Sequence, residues 1–170
     1  MAKAERWSLM KTLPLEILRV RVTRAKRLGI DYTTYASIRA ASGHDVVAFL
    51  FSGNALDLRP RRVSLSGEVA DRLRALDGAA ERLAAVYAPA HPGAVLQANP
   101  ALLDHAAPAP GFADSWSAMR DRVRGLVQAK GLPSDGVVLV SATAVEREWC
   151  TAGKLAGIIP AERFFAQAGA

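Results

Sequence analysis

Ser52-Gly53-Asn54 and Ser141-Ala142-Thr143 are the residues of this chain best placed to touch a ligand. Each group follows an apolar run, Val46–Phe51 for the first and Val137–Val140 for the second. In an open parallel sheet, ligands and chemistry sit at the carboxyl ends of strands. Hydroxyls, an amide and small residues suit capture of a small anionic ligand. The backbone N–H groups of Thr143–Val145, which open a helix, point to the same use. Residues of these types also suit plain turns and caps. They do not suit bond breaking, because neither group contains a carboxylate, a histidine or a lysine to act as nucleophile or acid–base.

Other reactive residue types are scattered. Ser42, His44 and Asp45 have the types of a hydrolytic triad, but chain neighbours do not generally form that geometry. His91, Asp104 and His105 are metal-ligand types without a tight spacing. Cys150, the only cysteine, follows Trp149 on an amphipathic stretch and is expected to be a small, partly buried hydrophobe. No catalytic residue, metal or cofactor is expected.

The elements that must position the two loops follow from pattern. Val46–Phe51 is continuously apolar, as in a strand buried on both faces of a parallel sheet. Val137–Val140 reads the same way, weaker strands are expected at Ala84–Ala88 and Ile158-Ile159, and Pro160 is expected to start a terminal helix. Helices are expected from Pro14 to Leu28, with Leu15, Leu18, Val22 and Ala25 facing inward, and from Tyr32 to Ala41, capped by Asp31 and stopped by Gly43. Ser66 caps a helix carrying Val69, Leu73 and Leu76. Asp114 is expected to cap a helix with the stripe Trp116, Met119, Val123 and Leu126. Thr143 and Glu146 form a capping box, and Val145, Trp149, Ala152 and Leu155 give the following helix its buried face, with Gly157 ending it. The Pro-rich stretch 89–111 reads as an extended surface connection or lid, with a short helix near Ala101–His105. Residues 1–12 read as a loose arm. The alternation of strands and helices implies an α/β fold: a small three-layer Rossmann-like domain with a mostly parallel sheet and an N-terminal helical pair. The chain of 170 residues is expected to be one domain, with a basic helical extension over 1–44 and an α/β core over 45–170.

Read as Val47-Ala48-Phe49-Leu50-Phe51-Ser52-Gly53-Asn54, the first strand and loop resemble the opening motif of the haloacid-dehalogenase-like hydrolases. That motif places a nucleophilic Asp at the end of an apolar strand, a second acidic Asp two residues on, then Gly and Thr. Here Leu50 stands at the nucleophile position and Ser52 at the acid position; only Gly53 matches, with Asn54 in place of the hydroxyl residue. Gly136–Thr143 resembles the family's last motif, but Ser141 and Ala142 stand where it carries Mg²⁺-binding acids. Glu146 falls near a family acid, and the capping box accounts for it. Lys130 is the nearest candidate for the family's lysine. The resemblance implies a degenerate site: ligand binding without catalysis.

Net charge is +6, and it is uneven: residues 1–62 carry twelve Lys/Arg against five Asp/Glu, the rest ten against eleven. Nucleic acid or an acidic protein is therefore the alternative partner class, met by Arg19, Arg21, Arg24, Lys26, Arg27 and Arg39. Ala25-x-x-Leu28-Gly29-Ile30, with Ile38 beyond, resembles a helix-turn-helix, although Tyr35 falls where a compact aliphatic is usual. A single cysteine permits no intrachain disulfide, and no apolar run is long enough to span a bilayer. A soluble cytoplasmic protein, away from membranes, is expected.

Overall fold

The computed structural model describes residues 14–166; the N-terminal arm expected over 1–12 lies outside them. Among the described residues, five strands form one sheet: β1 (Ala48–Ser52), β2 (Glu81–Val86), β3 (His105–Pro108), β4 (Val137–Ser141) and β5 (Gly157–Pro160). Their order is β3-β2-β1-β4-β5, and all four pairings are parallel. β1 is central, and Phe51 sits opposite Val140 of β4, so both candidate loops leave the same edge of the sheet. Every residue of β1 and of β4 is buried, which is why these segments are apolar throughout rather than alternating.

Helices cover both faces. On one face α1 (Leu15–Leu28), α2 (Tyr32–Ser42), α3 (Gly67–Arg74), α4 (Pro92–Ala98) and α7 (Ala161–Ala166) pack over Phe49, Phe51, Val86 and Val138. On the other, α5 (Trp116–Gln128) and α6 (Glu148–Gly153) pack over Leu50, Leu83 and Leu139. Neighbouring residues of a strand point to opposite faces, so Phe49 and Leu50 enter different cores. The result is a three-layer, Rossmann-like α/β architecture. No helix among the described residues is long and apolar enough to cross a membrane.

Several local expectations need correction. The Pro-rich segment holds a helix at Pro92–Ala98 and the edge strand β3, not a bare connection with a helix near Ala101–His105. Pro is tolerated on an edge, where one side of the strand has no ladder to complete, and β3 ends at Pro108. Ser115, not Asp114, caps α5; the Asp114 carboxylate instead accepts from the Gly111 N–H at 2.8 Å. Lys154 ends α6 in the left-handed conformation, and Gly157 opens β5. Leu15, Trp116 and Val145 are exposed rather than inward, and each lies in the first turn of its helical segment.

Arg82 links the sheet to its flanking turns. Its guanidinium is almost wholly buried, donates to the carbonyls of Leu73 and Ala101, and pairs with Asp104 at 3.0 Å. Burial would raise the Asp104 carboxyl, but the Arg82 hydrogen bonds and charge outweigh it and hold the group below its ordinary value. A depressed carboxyl contributes stability above its unfolded pKa, near 3.8, and loses it as pH falls through the lower folded value. Acid titration of thermal unfolding should therefore show stability falling below about pH 4. Asp104→Asn should flatten part of that slope; a slope equal to the native one would remove Asp104 from the account.

Candidate functional site at the carboxyl edge of the sheet

Glu146 is the centre of the edge where β1 and β4 end. It is fully buried, and its carboxylate takes five hydrogen bonds. One oxygen accepts from the Ser52 hydroxyl at 2.8 Å and from the backbone N–H groups of Ala142 and Thr143 at 2.8 and 3.2 Å. The other accepts from Asn54 Nδ2 at 2.9 Å and from the Tyr87 hydroxyl at 2.7 Å. These donors fill the lone-pair directions of a carboxylate. The Thr143 hydroxyl in turn accepts from the Glu146 N–H, so the expected capping box is present. Its acid does more than cap: it joins β1, β2 and β4 at their ends.

The two loops are thus brought together, but around a carboxylate of the chain itself. Ser52, Asn54 and the Thr143 backbone converge on Glu146, and Ser141 is buried beside them. Of the N–H groups over Thr143–Val145 expected to meet an anion, that of Thr143 meets this carboxylate, and it is joined by that of Ala142. Leu50, which the sequence resemblance alone sets at a nucleophile's position, lies wholly inside the core. Lys130 approaches Glu81 at the start of β2, the opposite end of that strand from Tyr87.

The open space lies to the other side of β1. A cavity of about 510 Å³ is lined by Gly53 and Asn54, by Tyr87 and Ala88 after β2, and by Pro108 at the end of β3 with the 109–112 segment that follows it. Ser52, Ser141 and Thr143 are not among its lining residues. Tyr87 forms the wall between the buried carboxylate and the cavity. Burial, then the hydrogen bond and charge of Glu146, push the Tyr87 hydroxyl above its ordinary pKa, so it remains a donor. Phe112 stacks on the Tyr87 ring, 6.3 Å between centroids and 9° from parallel, yet is itself 86% exposed. Arg59 and Arg122 complete the lining, with Asp114 beside Arg122 at 3.4 Å.

Tyr87, Phe112, Arg59, Arg122 and the hub role of Glu146 were not legible as site features. Tyr87 follows a weak strand and Phe112 follows a Pro-rich run, and only tertiary packing brings the two rings side by side and nearly parallel. A conventional capping-box spacing gave Glu146 a sufficient local explanation.

The other tempting residues have structural partners. Asp45 joins Tyr35, Arg24 and the Val46 N–H at 2.7, 3.2 and 2.8 Å, while the Ser42 hydroxyl donates to the His44 carbonyl. His91 Nδ1 accepts from the Gly93 N–H. Cys150 is half-buried, and desolvation raises its thiol. In the basic helical pair, Arg24 and Arg39 converge on Asp45, and Arg27 reaches the Gly78 carbonyl. Burial would raise the Asp45 carboxyl, but Tyr35, Arg24, Val46 and Arg39 bring it below its ordinary value. Ala25, Leu28, Ile30, Tyr35 and Ile38, the residues of the helix-turn-helix spacing, pack into the core against the sheet.

Comparison with protein-family models, curated proteins and solved structures finds no match for this chain.

Proposed function

We propose that this chain is a non-catalytic small-molecule-binding α/β domain, a degenerate relative of the haloacid-dehalogenase-like hydrolases. One observation carries the proposal: a cavity of about 510 Å³ opens at the strand ends beside a carboxylate sealed by five hydrogen bonds. Glu146 has no exposed surface with which to reach a substrate, and Leu50 and Ser52 offer no carboxyl nucleophile or acid. Apolar lining with a few convergent polar groups is the usual character of a ligand site.

Titration of the isotope-labelled protein with indole, followed by amide NMR, should shift Gly53, Tyr87, Gly111 and Phe112. No shifts, or shifts confined to the helical pair, would defeat ligand binding at this cavity. Incubation with Mg²⁺ and p-nitrophenyl phosphate should release no nitrophenolate above a heat-inactivated sample. Mg²⁺-dependent release that Glu146→Gln abolishes would overturn the non-catalytic part.

The alternative, contact with nucleic acid or an acidic protein, rests on the helical pair. Arg19 and Lys26 are exposed there and Arg21 is half-buried, whereas Arg24 and Arg39 are held by Asp45.

A further inference from the structure

We infer that the cavity takes a planar ring carrying one anionic group, an aromatic carboxylate, phosphate or sulfonate. This rests on the cavity's being a ligand site, and it names the chemical class that fits. The first support is Phe112. It lines the cavity and is 86% exposed, so its ring is open to a ligand. The Tyr87 ring lies beside it, nearly parallel, with centroids 6.3 Å apart. Tyr87 is in turn anchored through its hydroxyl to Glu146. The pair is therefore a braced aromatic platform on the cavity wall, and a flat ligand ring is what such a platform receives.

The second support is charge. The lining holds two guanidiniums, Arg59 and Arg122, and one carboxylate, Asp114. Asp114 lies 3.4 Å from Arg122 and offsets it. Arg59 pairs with Asp57 at 2.9 Å, but Asp57 also takes Arg62 at 2.7 Å. One carboxylate thus serves two guanidiniums, and one positive charge beside the cavity is left over. A guanidinium suits a carboxylate or phosphate because its planar fork matches their oxygens. Most of the rest of the lining is apolar, and Pro60, Pro108 and Pro110 stiffen it, which favours a ring over a flexible polar chain.

Two dyes that share their fused ring system separate the two supports. 1-Anilinonaphthalene-8-sulfonate bears one anionic group; N-phenyl-1-naphthylamine lacks it. Fluorescence titration should show saturable binding of both, with the sulfonate tighter by about fivefold at low salt and its advantage shrinking as salt rises. Phe112→Ala should weaken both dyes by about tenfold. Arg59→Gln should weaken the sulfonate and leave the neutral dye unchanged. Both side chains are exposed, so unchanged melting curves will show that the fold is intact. Equal affinities for the two dyes, with no effect of Arg59→Gln, would overturn the anionic class while leaving the cavity as a ligand site. Binding of neither dye, or binding indifferent to Phe112→Ala, would remove the platform and the ligand site together.

Discussion

Replacement of Glu146 by leucine is expected to lower the melting temperature of this protein by about 10–15 °C, from a loss of about 3–5 kcal/mol. The size of the effect comes from what the substitution leaves behind. Ser52 is fully buried, and its hydroxyl loses the acceptor 2.8 Å away. The half-buried Tyr87 hydroxyl loses its acceptor as well. Each of these two stranded donors costs about 1–3 kcal/mol, whereas Asn54, Ala142 and Thr143 lie at the surface and can turn to water. Glu146→Gln keeps an acceptor on each side of the network only in part, since its amide NH₂ must face a donor; about 1–2 kcal/mol is expected. The order leucine worse than glutamine, both worse than native, is checked by thermal unfolding followed by circular dichroism. A leucine variant melting within about 2 °C of native would mean that the carboxylate is not what ties the strand ends together. Because the same acid holds Tyr87, the leucine variant should also loosen the platform under Phe112.

The second large effect is expected at the junction of the two N-terminal helices. Gly29 ends α1 with φ at +69°, a conformation that disfavours any residue with a Cβ. A methyl group there would also lie 2.5–2.6 Å from three atoms of the Arg72 guanidinium. A flexible side chain could swing aside, but this one is buried on all sides. It donates to the carbonyls of Leu28, Gly29 and Phe164 and lies 3.8 Å over the Phe164 ring. Burial already pushes its pKa down to about 10. Gly29→Ala should therefore cost about 3 kcal/mol, part from the backbone and part from displacement of Arg72. A double-mutant cycle with Arg72→Ala separates the two: in that background Gly29→Ala should cost only the backbone part, about 1–2 kcal/mol. Equal costs in both backgrounds would show that Arg72 is not what the methyl meets. Thermal and urea unfolding give the four stabilities the cycle needs.

Much of the fold was legible because it rests on local signals. The continuous apolar runs at Val46–Phe51 and Val137–Val140 foretold strands buried on both faces, and they pair side by side with Phe51 opposite Val140. Asp31 and Ser66 cap their helices as their chain positions imply, and Gly43 stops α2 in the left-handed conformation. β3 was not legible, because His105–Pro108 is short, alanine-rich and ends on proline, with no apolar run to mark it. The inward faces of the helices were misjudged only near their first turns, at Leu15, Trp116 and Val145.

The chain's own order of residues determined the parallel sheet, its helical layers and the absence of reactive groups at Leu50, Ser52 and Ser141. Those properties follow from burial periodicity and residue type, which act over a few neighbours at a time. Tertiary structure alone decided which side of β1 is filled and which is open. Glu146 meets Ser52 across 94 residues and Asn54 across 92, and Tyr87 meets Phe112 only once β2 and β3 lie side by side. Hydrogen bonds and ring contacts between such distant segments depend on where the strands place them, and no spacing along the chain encodes that position.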